Sequence, residues 1–151
     1  MRIDRQQYFM QLAELTAKRG TCDRLKVGAV LVKGNRVVAT GYNGSPPGLA
    51  HCDDVGHLII NGHCERTVHA EQNAIATAAK FGISLYGATM YITHEPCFTC
   101  KKLIISAGIE HVLYKHAYVD KRTPKEYEKA LDCKWLATKY YEDNDNKKYE
   151  E

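Results

Sequence analysis

From residue 68 onward the hydrophobic period of the chain alternates between helix and strand, and this alternation restricts the fold more than any other feature. Residues 68–81 carry Ala70, Ala74, Ile75, Ala78 and Ala79 at helical packing positions, with Gly82 as the stop. Residues 88–93 read as a strand that ends at the Glu95-Pro96 break. A second helix is expected over 97–107, ended by Gly108, and a strand over 109–114. Thr123-Pro124-Lys125-Glu126 has the pattern of a capping box with Pro at the first helical position, predicting a helix over 124–131. A last strand is expected over 134–138. Strands joined by helices predict a largely parallel sheet.

The first half supplies the remaining elements. Tyr8, Leu12 and Leu15, with Phe9 and Ala13 on a neighbouring row, make residues 4–18 an amphipathic helix ended near Gly20. Core packing is the reading preferred over a membrane-surface helix. Residues 27–32 and 36–40 are β-branched runs around Lys33-Gly34-Asn35, the pattern of a hairpin and hence of one antiparallel pair. Residues 41–48 (GYNGSPPG) read as a loop, and residues 49–66 as an irregular stretch with one apolar patch at 58–60. No internal repeat interrupts this order. At 151 residues, one domain over 1–141 is expected, with a charged, frayed tail over 142–151.

A formal charge of +3, with no dense Lys/Arg stripe, argues against nucleic acid as the partner and leaves room for a small anionic ligand. The charged N-terminus has no apolar signal-peptide core, and no apolar run reaches membrane-spanning length. A cytoplasmic, reducing compartment is therefore expected, in which six cysteines are better read as metal ligands or small buried hydrophobes than as disulfides.

Two helix starts carry the chemistry. His69-Ala70-Glu71 opens one predicted helix and Pro96-Cys97-Phe98-Thr99-Cys100 opens the next. Cys97 and Cys100, three apart, share a helix face and can reach one tetrahedral ion, with His69 adding a nitrogen from the neighbouring helix. Three protein ligands leave a fourth position open, the arrangement of a catalytic zinc. Helix N-termini favour thiolate. Glu71, two residues from His69, is placed to take a proton from an activated water and pass it on. The plainer readings are a closed zinc knuckle for the cysteines and a solvated carboxylate for Glu71.

With these residues the sequence resembles the cytidine-deaminase superfamily, whose zinc signature is H-x-E…P-C-x-x-C. Within it the sequence is similar to the deoxycytidylate (dCMP) deaminase branch, through residues 22–29 (CDRLKVGA), 41–48 and 91–97 (YITHEPC) as well as 68–71. The likeness implies a three-layer α/β/α sandwich around a five-stranded mixed sheet, and zinc-dependent hydrolysis of dCMP to dUMP and ammonia. It also implies Asn43 as a sugar contact and Arg24, with Tyr118, as 5′-phosphate ligands. An anionic phosphate calls for such a cation on independent grounds, the alternative being a surface salt bridge. For Asn43 the plainer reading is a turn residue with an unusual backbone angle. The branch implies a hexamer, activation by dCTP and inhibition by dTTP, with Mg2+ beside the regulatory nucleotide. The GYNG loop and Lys80 are candidates for that regulatory site.

Four of the seven histidines lie between positions 51 and 69, interleaved with Cys52 and Cys64. Cys22 and Cys52 match positions that some members of the branch use for a second, structural zinc. Cys64 and either His57 or His63 would complete the set and staple the irregular stretch. Buried thiols and solvated histidines are the alternative. Cys133 reads as a small core residue. Rival functions are a zinc deaminase of tRNA adenosine, free cytidine or guanine, and a non-catalytic zinc-binding module. A free-nucleoside enzyme would have no use for Arg24, and a binding module none for Glu71.

Overall fold

The computed structural model describes residues 2–136. The expected tail over 142–151, and residues 137–138 of the expected last strand, lie outside them. Helix α1 (Arg5–Ala17) precedes a hairpin of β1 (Gly28–Lys33) and β2 (Arg36–Tyr42). Gly34 and Asn35 both take positive φ, 54° and 61°, which gives the tight turn a twist that suits the flanking strands. The stretch expected to be irregular holds a short helix α2 (Cys52–Val55) and a small hairpin, β3 (Ile59–Ile60) with β4 (His63–Cys64). Then come α3 (Ala70–Lys80), β5 (Thr89–His94), α4 (Phe98–Ser106), β6 (His111–His116), α5 (Lys125–Ala130) and β7 (Asp132–Trp135).

The five-stranded sheet has the order β2-β1-β5-β6-β7. β5, β6 and β7 run parallel, whereas β1 is antiparallel to both β2 and β5. The sheet is thus mixed, with two antiparallel pairs where the sequence suggested one. The cause is the crossover: β2 and β5 run in the same direction, joined through α3, and β1 lies between them. Alternate residues of β1 and β5 feed two cores, as strand geometry requires. Val30, Val32 and Tyr91 pack with Phe9, Met10 and Ala13 of α1. Ala29, Leu31, Met90 and Ile92 pack on the other face with Ala70, Ala74 and Ala78 of α3 and Ile104 of α4. The result is three layers, α1 on one side and α3 and α4 on the other.

Several local expectations shift. The buried stripe of α1 is Phe9, Met10, Ala13 and Ala17, and Tyr8 and Leu15 are exposed, because the Phe9 row faces the sheet. Ala79 is exposed for the same reason on α3. The capping box at Thr123 does not form. Pro124 is the N-cap of α5, and the Thr123 amide closes a turn onto the Asp120 carbonyl at 3.0 Å, leaving the buried Thr123 hydroxyl without a hydrogen bond. The last strand begins at Asp132, two residues early. Among the described residues no helix is long and apolar enough to cross a membrane.

Two glycines set how closely the layers approach. A Cβ on Gly28 would overlap the Ala13 carbonyl and Ala17 amide of α1, and one on Gly41 the Ala70 carbonyl and Ala74 amide of α3. Since α3 begins beside His69, the seat at Gly41 fixes where that histidine lies. Gly41→Ala is expected to destabilise the fold by about 1–3 kcal/mol through overpacking. A urea midpoint unchanged from wild type would contradict this close seat.

Candidate active site

β5 ends at His94, and the N-termini of α3 and α4 open beside it. Two structural facts create the site there. His69 is the N-cap of α3, in extended conformation, and its amide donates to the Gln72 side chain at 3.0 Å. Cys97 is the N-cap of α4, also extended, and Cys100 lies one turn inside, fully buried. The Nδ1 of His69 is 3.3 Å from the Cys100 Sγ and 3.7 Å from the Cys97 Sγ. A tetrahedral zinc with ordinary Zn–S and Zn–N bonds needs sulfur and nitrogen about 3.6 Å apart. The three donors therefore fit zinc in separation and in chemistry, an imidazole and two thiols.

The charges at this cluster are uneven. Hydrogen bonding from Cys100, and then from His69, lowers the Cys97 thiol to about 4. Cys100 moves the other way, raised by the neighbouring Cys97 thiolate and by burial. His69 is raised, chiefly by its contact with Cys97. The contact between the two thiols thus pushes them in opposite directions. Glu71, on the first turn of α3, is 95% buried (5% exposed), and burial raises its carboxyl pKa. Its Oε2 is 3.6 Å from the Cys100 Sγ.

His69, Glu71 and Cys97 open on a cleft of 410 Å³ whose walls include Arg24, Asn43 and Tyr118. The structure thus brings every residue expected at the reaction centre or on the nucleotide to one cavity, with Cys100 behind it. Asn43 takes no positive φ, which removes the strained-turn reading. It is buried, its Oδ1 accepting from the Val27 amide at 2.8 Å and its Nδ2 donating to the Leu25 carbonyl at 2.6 Å. Among the described residues Arg24 makes no ion pair; its guanidinium donates to the Gly62 carbonyl at 3.2 Å, and the residue is exposed.

A family model described as the cytidine and deoxycytidylate deaminase zinc-binding region matches residues 3–116. The chain belongs to this family. It is 52% identical to ComE operon protein 2 of Bacillus subtilis (strain 168) over 117 residues, 78% of this chain and 62% of that protein. It is 41% identical to the deoxycytidylate deaminase of Mycobacterium phage D29 over 124 residues, 75% of this chain and 95% of that one. Its fold is similar to the crystal structure of dCMP deaminase from the cyanophage S-TIM5 in complex with dCMP and dUMP. That likeness has a TM-score of 0.77 and 31% identity, covering 90% of this chain and 99% of the other.

A second donor set lies beside the cleft in this member of the family. Cys22, Cys52, His57 and Cys64 gather with all ligand atoms within 4.8 Å of one another. The Cys22 Sγ is 3.4 Å from the His57 Nδ1, and the sulfurs of Cys52 and Cys64 are 3.5 Å apart. A closed tetrahedral site asks for about 3.6 Å and 3.8 Å. Of the two histidines considered for this set, His57 joins the cluster and His63 lines the cleft. The other ring nitrogen of His57 meets the Asp23 carboxylate at 2.9 Å, the carboxylate–histidine arrangement that orients metal ligands.

Three residues of the cleft or its rim escaped the sequence reading. His94 and Glu95 line the cavity, and Asp120 lies on its rim. His94 contacts the Thr93 hydroxyl at 2.9 Å, and burial, with His116 stacked 4.9 Å away, lowers its pKa. Only His94 had a signal, its nearness to Cys97 in sequence.

The thiol asymmetry can be read directly. After chelation, alkylation of Cys97 by iodoacetamide should hold nearly constant between pH 6 and 8, since its thiolate is already complete above about 4. Cys133, pushed up to about 12 by burial, should gain about tenfold per pH unit over the same range. Peptide mass spectrometry resolves the two, and a tenfold rise per unit at Cys97 would contradict the thiolate assignment.

Proposed function

We propose that residues 1–141 form one zinc-dependent deaminase unit that converts dCMP to dUMP and ammonia. His69, Cys97 and Cys100 are its zinc ligands and Glu71 its proton carrier. The observation that carries this reading is a three-donor set at tetrahedral spacing, opening on a cleft that also holds a buried carboxyl and an arginine. The relatives named deoxycytidylate deaminase support the substrate class.

In the reaction the C4–N bond of cytosine breaks, water supplies the new C4 oxygen, and ammonia leaves. When bound, zinc would supply the Lewis acidity that makes water a nucleophile near neutral pH. Glu71 receives the water proton on a carboxylate oxygen and delivers it to ring N3, then serves the departing amine. Its burial suits that work, because a carboxyl raised by desolvation holds a proton readily. Arg24 spends one N–H on Gly62 and offers the rest to the 5′-phosphate, with the Tyr118 hydroxyl across the cleft. Asn43 holds the 25–27 segment in place, and each of its amide atoms keeps one further hydrogen-bonding position for the sugar.

The reading extends to Cys22, Cys52, Cys64 and His57 as ligands of a second, structural zinc with no open position. It includes assembly into a hexamer, supported by the exposed apolar side chains of Leu49, Val55, Leu58, Ile59 and Ile60. Regulation by dCTP and dTTP with Mg2+ rests on the likeness of the GYNG loop. Lys80 is the weaker candidate there, since it closes α3 at the end away from the cleft. Six unpaired cysteines support a reducing, cytoplasmic setting.

Glu71→Gln should lower kcat on dCMP by about 10³-fold while zinc stays bound, read from loss of cytosine absorbance and a zinc assay on the same sample. Unchanged turnover would end the proton-carrier assignment. Turnover by wild type of cytidine, guanine or a tRNA anticodon in place of dCMP would redirect the substrate. Cys64→Ser should lower the zinc count from two per chain to one and raise KM for dCMP more than it lowers kcat. A wild-type count of one would remove the second site.

A further inference from the structure

We infer that Asp120 is a positioning residue that ties the metal-ligand helix to the nucleotide rim of the cleft. It rests on the zinc and nucleotide reading above and adds a residue to which no role is assigned there. The starting point is a deficit at the start of α4. The N-cap Cys97 makes no side-chain cap hydrogen bond, and the first turn carries no acidic residue. The first N–H groups of α4 therefore need a hydrogen-bond acceptor from elsewhere in the chain.

Asp120 supplies that acceptor from across the fold. Its side chain is 6% exposed, and its Oδ2 accepts from the Phe98 amide, the first N–H of α4, at 2.9 Å. Arg122 locks the carboxylate in place. Its guanidinium donates through Nη2 to Oδ2 at 2.7 Å and through Nε to both oxygens at 3.0 and 3.2 Å, and its amide donates to Oδ1 at 3.0 Å. These bonds from Arg122, with the Phe98 amide, hold the carboxyl well below the usual carboxylate range. The Asp120 carbonyl accepts from the Thr123 amide, so the backbone is a closed turn at the same point.

The position in sequence completes the argument. Ala117 and Tyr118, just before Asp120, line the same cleft as Arg24. One carboxylate thus sets the distance between the Cys97/Cys100 helix start and the rim that faces the phosphate. Phe98 packs edge-on against Tyr127, with ring centroids 5.0 Å apart, so α4 has a second anchor and stays folded when Asp120 changes. What Asp120 adds is register.

The test compares wild type with Asp120→Ala, Asp120→Asn and Arg122→Ala. Zinc affinity is measured by competition with a chromophoric chelator, and KM and kcat on dCMP, with melting temperature as the control. Asp120→Ala should weaken zinc retention by about tenfold or more and raise KM, whereas Asp120→Asn, which keeps an acceptor for the Phe98 amide, should restore most of the zinc affinity. Arg122→Ala, on an exposed side chain, should raise KM a few-fold and keep the fold intact if Asp120→Ala does not express. Zinc affinity and KM unchanged in both Asp120→Ala and Arg122→Ala would overturn the inference. So would a loss confined to melting temperature. Wild type that takes up neither zinc nor dCMP would instead overturn the underlying reading of the cleft.

Discussion

Two helix N-termini are held side by side at the end of β5, and nearly everything else in the structure serves that placement. Unsatisfied N–H groups and aligned peptide dipoles make such an end electropositive. Bringing two together is unfavourable unless negative charge lies between them. The Cys97 thiolate supplies that charge, and it belongs to one of the helices that need it. The close seat of α3 over Gly41 and the parallel pairing of β5 with β6 then leave the helices little freedom to drift apart. A site assembled this way is an outcome of packing before it is a binding site.

The same geometry explains the division of labour among acidic groups. Glu71 is buried with its pKa raised, which suits the proton-carrying role proposed for it. Asp120 has its side chain covered and its pKa lowered, because Arg122 and a helix N–H hold its charge in place. Two carboxylates near one centre are pushed in opposite directions by their partners, and only one of them is suited to move a proton.

Much of this was legible in the sequence, because its determinants are local. The hairpin follows from Gly34-Asn35, and α3 and α4 from the alanine and apolar periodicity bounded by Gly82 and Gly108. The metal donors follow from i, i+3 spacing at a helix start. What was not legible depends on chain segments far apart. That β1 would lie between β2 and β5 is decided by the crossover. The failure of the cap at Thr123 came from competition with Asp120, whose carbonyl takes the amide. Asp120 itself reaches back 22 residues to Phe98, and no period or motif marks such a contact. The choice of His57 over His63 likewise depended on the β3–β4 hairpin, which turns one imidazole toward Cys22 and leaves the other on the cleft wall.

The four-donor cluster and the three-donor cluster differ in a way that separates shape from chemistry. Cys22, Cys52, His57 and Cys64 offer four donors, the number a tetrahedral ion takes, so an ion there would have no position for water or substrate. Its effect must pass through the chain it ties together. That chain is the segment from Cys22 to Arg24 and the hairpin ending at Cys64, already joined by the Arg24–Gly62 hydrogen bond and the His57–Asp23 pair. Arg24 is therefore held from two sides by the cluster, and the cleft wall gains rigidity that a short, two-residue-stranded hairpin with exposed Ile59 and Ile60 could not supply by burial. Rigid placement of a phosphate ligand lowers the ordering cost of binding. On the proposed function, the closed cluster thus shapes affinity, while the open one, with Glu71 beside it, carries the chemistry.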